Sequence, residues 1–293
     1  MALIQSVIEQ GLIYAIMALG VYITYKILDF PDLTVDGSFP MGAAITAALI
    51  SKGFNSLLTL PICFLAGALI GALTGLIHVK LKVRDLLSGI IMMTALYTVN
   101  LRIAGRANLP IYNNSNIFEN AVVDKIFPEA LVPYKTVIII LIITLISKYF
   151  LDWYLSTKSG MLLRAVGDTK KLLLLLEWIK DGKIVGLAVS NGLVALSGCI
   201  FVQQQRYFDV SMGTGTVVIG LASVIMGTSV FKKVTILRVT SSVVIGSIFY
   251  KACVALAIRL GFPSTDTKFI TAAILLIILV VGMERRKKVK IHA

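Results

Sequence analysis

Apolar residues run along this chain in stretches of membrane-spanning length, separated by short polar and basic intervals. The stretches fall at about 4–28, 39–50, 57–79, 86–101, 134–151, 184–204, 214–231, 235–260 and 267–283. A hydrocarbon core of roughly 30 Å takes about twenty residues of helix at about 1.5 Å per residue, so the pattern predicts about nine transmembrane helices. Segment 39–50 is short: its length as a helix is only about 18 Å by the same rise. It is expected to be a half-helix continued by irregular backbone, which is tolerated at membrane depth only inside protein or along a wet cavity.

One stretch departs from this rhythm. Residues 159–183, SGMLLRAVGDTKKLLLLLEWIKDGK, are strongly charged as well as amphipathic, with Arg164, Lys170, Lys171, Lys180 and Lys183 between apolar runs. Start and stop signals predict a helix over 161–166, a turn at Gly167 and Asp168, and a second helix over 172–179 with Asp168 or Thr169 as N-cap. The run 172–176 is too apolar for a solvated loop, so one side is buried. An interfacial helix resting on lipid and a docking element for a cytoplasmic partner both fit.

The halves on either side look alike. Asp36-Gly37-Ser38-Phe39-Pro40-Met41-Gly42 and Asp209-Val210-Ser211-Met212-Gly213-Thr214-Gly215 share Asp, Ser and Gly at one spacing, each before a small-residue helix. Asp85 and Asp266 open two later segments in the same relation, and the implied topology places the members of each pair on opposite membrane faces. Four elements, a connecting helix and four inverted elements form the pattern of an inverted-repeat transporter, an all-α polytopic membrane protein with broken half-helices. The predicted division is a first half of about 1–133, a connecting helix 134–151, a cytoplasmic region 158–183, a second half 184–283 and a basic tail 284–293, all one membrane domain.

Composition and charge narrow the class. With 57% hydrophobic and 15% charged residues and mean hydropathy +0.90, a soluble domain is excluded. No basic n-region or small-residue cleavage site precedes the first apolar segment, so no removable signal is expected. The net charge of +13 sits in short loops and the tail, which sets orientation rather than marking nucleic acid. Lys26, Lys80, Lys82, Arg84, Lys148, the central stretch, Lys232, Lys233, Arg238 and the tail share one side, predicting the N-terminus outside and the C-terminus inside. Tyr149, Phe150, Trp153 and Tyr154 mark the inner aromatic belt. The segment 102–133, with three prolines and an Asn-Asn-Ser-Asn cluster, reads as an external cap or docking surface.

Candidate chemistry is sparse. Half-helix N-termini suit polar or anionic solute groups, so Asp36, Ser38, Asp209 and Ser211 are candidate translocation-pathway residues, although each also fits a plain N-cap. Thr94 and Asn100 are further pathway candidates, alongside Asn191, Ser197 and Gln203 to Gln205; any of these also fits interhelical hydrogen bonding. Gly67, Gly71 and Gly75 form a close-packing face. Cys63, Cys199 and Cys253 have no metal-ligand spacing, His78 and His292 lack a carboxylate at ligand spacing, and no residue set suits catalysis, so no metal and no enzyme activity is expected.

The stretches 28–40 (LDFPDLTVDGSFP), 85–90 with 93–97 (DLLSGI, MTALY), 163–168 (LRAVGD), 186–188 through Asn191 with 196–198, 208–213 (FDVSMG) and 219–225 (IGLASVI) resemble the permeases of bacterial ATP-binding-cassette importers, in the branch holding the branched-chain amino acid and ribose permeases. The likeness is nearest to a subfamily linked to tryptophan, tyrosine and related solutes and paired with lipoprotein binding proteins. It implies a multi-pass protein of the bacterial cytoplasmic membrane, a second permease copy in a homodimer or heterodimer, cytoplasmic ATPase subunits that hold ATP and Mg2+, an external solute-binding lipoprotein, and no nucleic acid. It further implies that Arg164, Ala165, Gly167, Asp168, Lys170 and Lys171 begin the element that couples to the ATPase. The run 172–178 departs from the small residues usual after that motif.

This chain has no Gly-x-x-x-x-Gly-Lys-Ser/Thr loop, since Gly182-Lys183 is followed by Ile184, so its energy comes from a partner or a gradient. The expected function is the permease subunit of an importer that moves a small solute, such as an amino acid, delivered by an external binding protein. The alternative is a self-sufficient proton- or cation-coupled secondary transporter using Asp36 and Asp209.

Overall fold

An unpaired backbone group in hydrocarbon costs several kcal/mol, so an apolar chain in lipid closes its hydrogen bonds within helices. The computed structural model of the protein describes residues 2–120, 123, 128–168, 178–230, 238–263 and 266–291. In the first half, α1 (Ala2–Tyr22) continues into a π-helical turn, Ile23–Ile27, and is followed by α2 (Val35–Ser51), α3 (Thr59–Val79) and α4 (Asp85–Ala104). A long helix, α5 (Lys135–Ser156), and a short one, α6 (Lys158–Asp168), lead to the second half. That half holds α7 (Trp178–Gln205), α8 (Thr216–Val230), α9 (Val239–Arg259) and α10 (Thr267–Ile291).

Among the described residues, seven helical segments are long and apolar enough to cross a membrane, while Val35–Ser51 and Thr267–Ile278 are shorter apolar helices. The expected count of about nine crossings therefore depends on those two. The architecture is all-α and polytopic, with one departure: β1 (Asn108–Pro110) pairs antiparallel with β2 (Tyr207–Asp209). The expected turn at Gly167 and Asp168 is absent. α6 runs unbroken from Lys158 through Asp168, since one glycine weakens a helix by only about 1 kcal/mol. The second predicted helix, 172–179, lies outside the described residues up to Trp178, where α7 begins.

Two helices form the centre. The apolar span of α1 is 83% buried and that of α7 67%, whereas those of α3, α4 and α5 are at most 28% buried. An evenly apolar helix gains most when surrounded by protein, and α1 is buried on all sides from Leu12 to Leu19. The halves interlock through these two: α7 packs on α2 and α3, and α1 packs on α8 and α9. Each half thus wraps its second and third helices around the first helix of the other.

Lipid tails are as apolar as leucine, so small residues and hydrogen bonds must hold such helices together. On α3, a Cβ at Gly67 or Gly71 would enter the Asn191 or Leu187 carbonyl, and one at Gly75 would meet the Ile184 Cα. The expected glycine face therefore has α7 as its partner. Where α2 crosses α7, Gly42 lies on the Ala195 carbonyl and Gly198 on that of Phe39. Hydroxyls finish these contacts: Ser190 donates to the Gly20 carbonyl at 2.8 Å, Ser197 to Ile13 at 2.7 Å and Ser247 to Gly11 at 2.8 Å. Each such bond contributes about 0.6 kcal/mol in a bilayer.

The segment after α4 folds onto the ends of α2 and α7. Its Asn114 Nδ2 donates to the Ile50 carbonyl at 3.0 Å, the Ile117 N–H donates to Gln203 Oε1 at 3.0 Å, and Glu119 pairs with Arg206. With Ile111, Ile117 and Phe118 buried, it is an anchored cap. At the other end Asp152 accepts from Lys148 (3.1 Å), Arg238 (3.3 Å) and Thr240 (2.7 Å), gathering basic residues expected on one side. Tyr149 and Trp153 are exposed as a belt requires, but Tyr154 is buried.

Candidate functional site

The backbone is irregular where each half passes from its first helix to its second. In the first half the chain leaves the π turn with Asp29 in the left-handed region at φ 51°, and α2 starts at Val35. In the second, β2 and a 3-10 turn, Val210–Gly213, precede Gly215 at φ 85° and the start of α8. α2 begins four residues before the apolar segment 39–50, and the irregular backbone expected beside that segment lies at 28–34.

The two helix starts meet. Asp36, in the first turn of α2, accepts the N–H of Gly215 at 2.9 Å, the N–H of Val217 at 2.7 Å and the hydroxyl of Thr216 at 2.9 Å. It caps a helix of the opposite half, where free N–H groups and the helix dipole favour a carboxylate. Hydrogen bonds to a charged group contribute about 1.5–3 kcal/mol each. The approach is close enough that a Cβ on Gly213 would enter the Asp36 carbonyl. The stretches around Asp36 and Asp209, expected on opposite faces, therefore touch, because both halves turn back inside the bundle.

Asp209 does something different. Its Oδ1 accepts the Ser211 N–H at 2.8 Å and the Ser211 hydroxyl at 2.5 Å, a local cap. The hydroxyl and amide of Ser211 hold the carboxyl below the usual range against the effect of partial burial. The same turn occurs at Asp32, whose Oδ1 accepts the Thr34 N–H at 2.9 Å. By geometry the counterpart of Asp209 is thus Asp32 rather than Asp36. Asp-Leu-Thr-Val at 32–35 and Asp-Val-Ser-Met at 209–212 share the acid–apolar–hydroxyl–apolar order.

Asp32 also anchors a buried network. Asn191 Nδ2 donates to Asp32 Oδ2 at 2.8 Å, and the Ser38 hydroxyl donates to Asn191 Oδ1 at 2.7 Å. Ser38 therefore points into the α2–α7 interface. Asp32 is the buried anchor the spacing match passed over; its signal was the hydroxyl residue two positions on.

A cavity of about 250 Å3 lies beside the Asp36 cap, walled by Asp36, Gly37 and Pro40 of α2, Met93, Thr94, Tyr97 and Asn100 of α4, and Val210 and Thr214. Three sequence-named candidates, Asp36, Thr94 and Asn100, share it, while Ser38, Asp209 and Ser211 do not line it. Asn100 Nδ2 donates to the Gly37 carbonyl at 3.0 Å, and its buried Oδ1 has no partner among the described residues. A buried acceptor left open is costly without a water or solute donor. Thr94 bonds its own Ile90 carbonyl at 2.8 Å, so its oxygen lone pairs stay available. The wall presents acceptors to a small polar solute.

Among the coupling candidates, Arg164 is exposed on α6, and Ala165, Gly167 and Asp168 lie on the same helix. Lys170 and Lys171 lie outside the described residues. α6 is held by Leu163, which is fully buried and abuts Gly186 of α7 so closely that a Cβ there would meet it at 2.7 Å. α6 also packs on the π turn that leads to Asp32 and Asp36. No group of three or more metal-ligating side chains occurs among the described residues.

Residues 3–280 match the family described as branched-chain amino acid transport system, permease component. The chain is 41% identical over 278 residues, 94% of this chain and 90% of the relative, to the tyrosine transport system permease protein of Clostridioides difficile (strain R20291). It is 30% identical over 285 residues, 95% of this chain and 97% of the relative, to an uncharacterised protein of Rickettsia prowazekii (strain Madrid E). Similarity extends at 24% identity over 229 residues, 76% of this chain and 68% of the relative, to the ribose import permease protein of Haemophilus influenzae (strain ATCC 51907 / DSM 11121 / KW20 / Rd). No solved structure matches the chain significantly.

Proposed function

This chain belongs to the family of branched-chain amino acid transport system permease components, and from that premise we propose that it is the transmembrane permease of an ATP-binding-cassette importer for an aromatic amino acid. The relative at 41% identity carries the name of a tyrosine transport permease, which supports the cargo class. A binding protein delivers the solute from outside, and partner ATPase subunits hold ATP and Mg2+ beneath two permease copies. The N-terminus is outside and the C-terminus inside, with Asp152 and its basic neighbours near the cytoplasm.

The observation that carries the reading is the meeting of α2 and α8 at Asp36 beside a cavity with open acceptors. Two half-helices from opposite halves that share one carboxylate move relative to each other by exchanging a few hydrogen bonds, the kind of rearrangement alternating access needs. α6 presents Arg164 outward and rests on the π turn before Asp36, so a push from below reaches the cavity through packed helices. A proton- or cation-coupled carrier is less well supported, because the Asp36 carboxylate already accepts three donors.

The test is reconstitution of the permease with its ATPase and binding protein in liposomes. ATP-dependent uptake of L-tyrosine, with hydrolysis stimulated by loaded binding protein, is expected. Uptake by the permease alone under a proton or sodium gradient would overturn the assignment in favour of a secondary carrier.

A further inference from the structure

A second cavity, of about 680 Å3, opens among α1, α8, α9 and α10, on the other side of Thr214 from the first. Its mouth is formed by Leu3, Ile258 and Lys268, where α1 and α10 begin and α9 ends, and it reaches down to Thr216 at the start of α8. Lys251 stands in its wall. The ammonium lies 3.4 Å from Gln10 Oε1 and 4.0 Å from the centroid of the Tyr14 ring.

Neither contact supplies a negative charge. Glu9, next to Gln10 in sequence, is engaged elsewhere, accepting from Gln5 and Gln204. Among the described residues no carboxylate forms an ion pair with Lys251 and none lines the cavity, whose other charged wall residue is Lys268. The Tyr250 and Thr271 hydroxyls pair with each other at 2.6 Å. A lysine within a spanning helix is expensive and ordinarily faces water, a pathway or a counter-charge. The Tyr14 face offsets part of that cost and leaves the charge unbalanced. The volume lies in the usual range for small-molecule sites.

We propose that this cavity binds a small solute through its carboxylate, with Lys251 as the counter-charge and the Tyr14 ring as the adjoining apolar wall. This rests on the permease reading for the identity of the solute, an amino acid, and for the direction of the mouth, which faces outside. The two cavities are then complementary: acceptors in the first suit an ammonium or hydroxyl, and the cation in the second suits a carboxylate.

The experiment uses the full-length permease in phosphatidylcholine nanodiscs, with acylation of Lys251 by an amine-reactive ester followed by mass spectrometry. 3-Phenylpropanoate should slow acylation at least fivefold in a saturable way, whereas 3-phenylpropanamide, which carries no carboxylate and no reactive amine, should not. By thermal shift, Lys251→Arg should retain 3-phenylpropanoate binding and Lys251→Met should weaken it at least tenfold. Equal protection by the amide, no protection, or unchanged binding in Lys251→Met overturns the proposal. Protection conferred only by phosphatidylglycerol added to the discs overturns it as well, making this a lipid site. A chain that supports ATP-driven uptake without carboxylate protection loses this site and keeps the permease reading; protection without ATP-driven uptake does the reverse.

Discussion

Asp36 and Val217, 181 positions apart in sequence, are joined by a 2.7 Å hydrogen bond from the Val217 N–H to the Asp36 carboxylate. A residue in the first turn of one half-helix thereby closes the N-terminus of the other. Neither helix start is independent of the other's position.

Asp36→Ala removes the acceptor for three donors and should lower uptake more than it lowers membrane yield. A loss of about 1.4 kcal/mol corresponds to about tenfold, and tenfold or more is expected in uptake per folded permease. Asp36→Asn, which keeps an acceptor oxygen, should lose less. A fall in yield alone, with normal specific uptake, would reduce Asp36 to a structural cap.

Arg164→Glu should weaken the link between the permease and its ATPase. The side chain is exposed on α6, so insertion and thermal stability should match the parent, while stimulation of the partner ATPase and uptake both fall. Normal uptake in this variant would remove Arg164 from the coupling surface.

Asn191→Leu breaks the link between Ser38 and Asp32 and strands the buried Asp32 carboxylate, which loses its Asn191 donor. Leaving a buried polar group unpaired costs about 1–3 kcal/mol, so the melting temperature in detergent should drop by several degrees. Pairing it with Asp32→Leu should recover part of the loss. Equal destabilisation by the single and double variants would mean that the network is not what Asn191 supports.

Gly71→Leu places a side chain against the Leu187 carbonyl. Overpacking ordinarily costs about 1–3 kcal/mol, and here the obstacle is helix backbone, so well-folded protein in size-exclusion chromatography should fall sharply. Leu69→Met, at an exposed position on the same helix, is the control and should leave the profile unchanged.

Spans, charge asymmetry and glycine spacing are local properties of the chain, and they were legible because lipid imposes one simple demand: apolar outside, backbone satisfied inside. Length set segment 39–50 apart as short, although its helix, Val35–Ser51, takes in the residues before it, and the glycines at 67, 71 and 75 announced a close contact without naming α7. Lys251, a lone charge in an apolar run, was passed over although that is the signal by which intramembrane sites are found, and nothing beside it in sequence hinted at Gln10 and Tyr14. The match of Asp36 to Asp209 misled because spacing aligns residue types, whereas the shared turn belongs to Asp32.

By itself the sequence determined that this is a helical membrane protein, since hydropathy requires no partner to be read, and its likeness to a known family marked it as a permease. Tertiary structure decided which polar residues cap, which bridge and which stand open: Asp36 serves a helix of the other half, Ser38 turns into an interface and Asn100 keeps an acceptor that no described residue reaches. Those roles depend on donors brought from distant parts of the chain, and only packing settles which donor reaches which carboxylate.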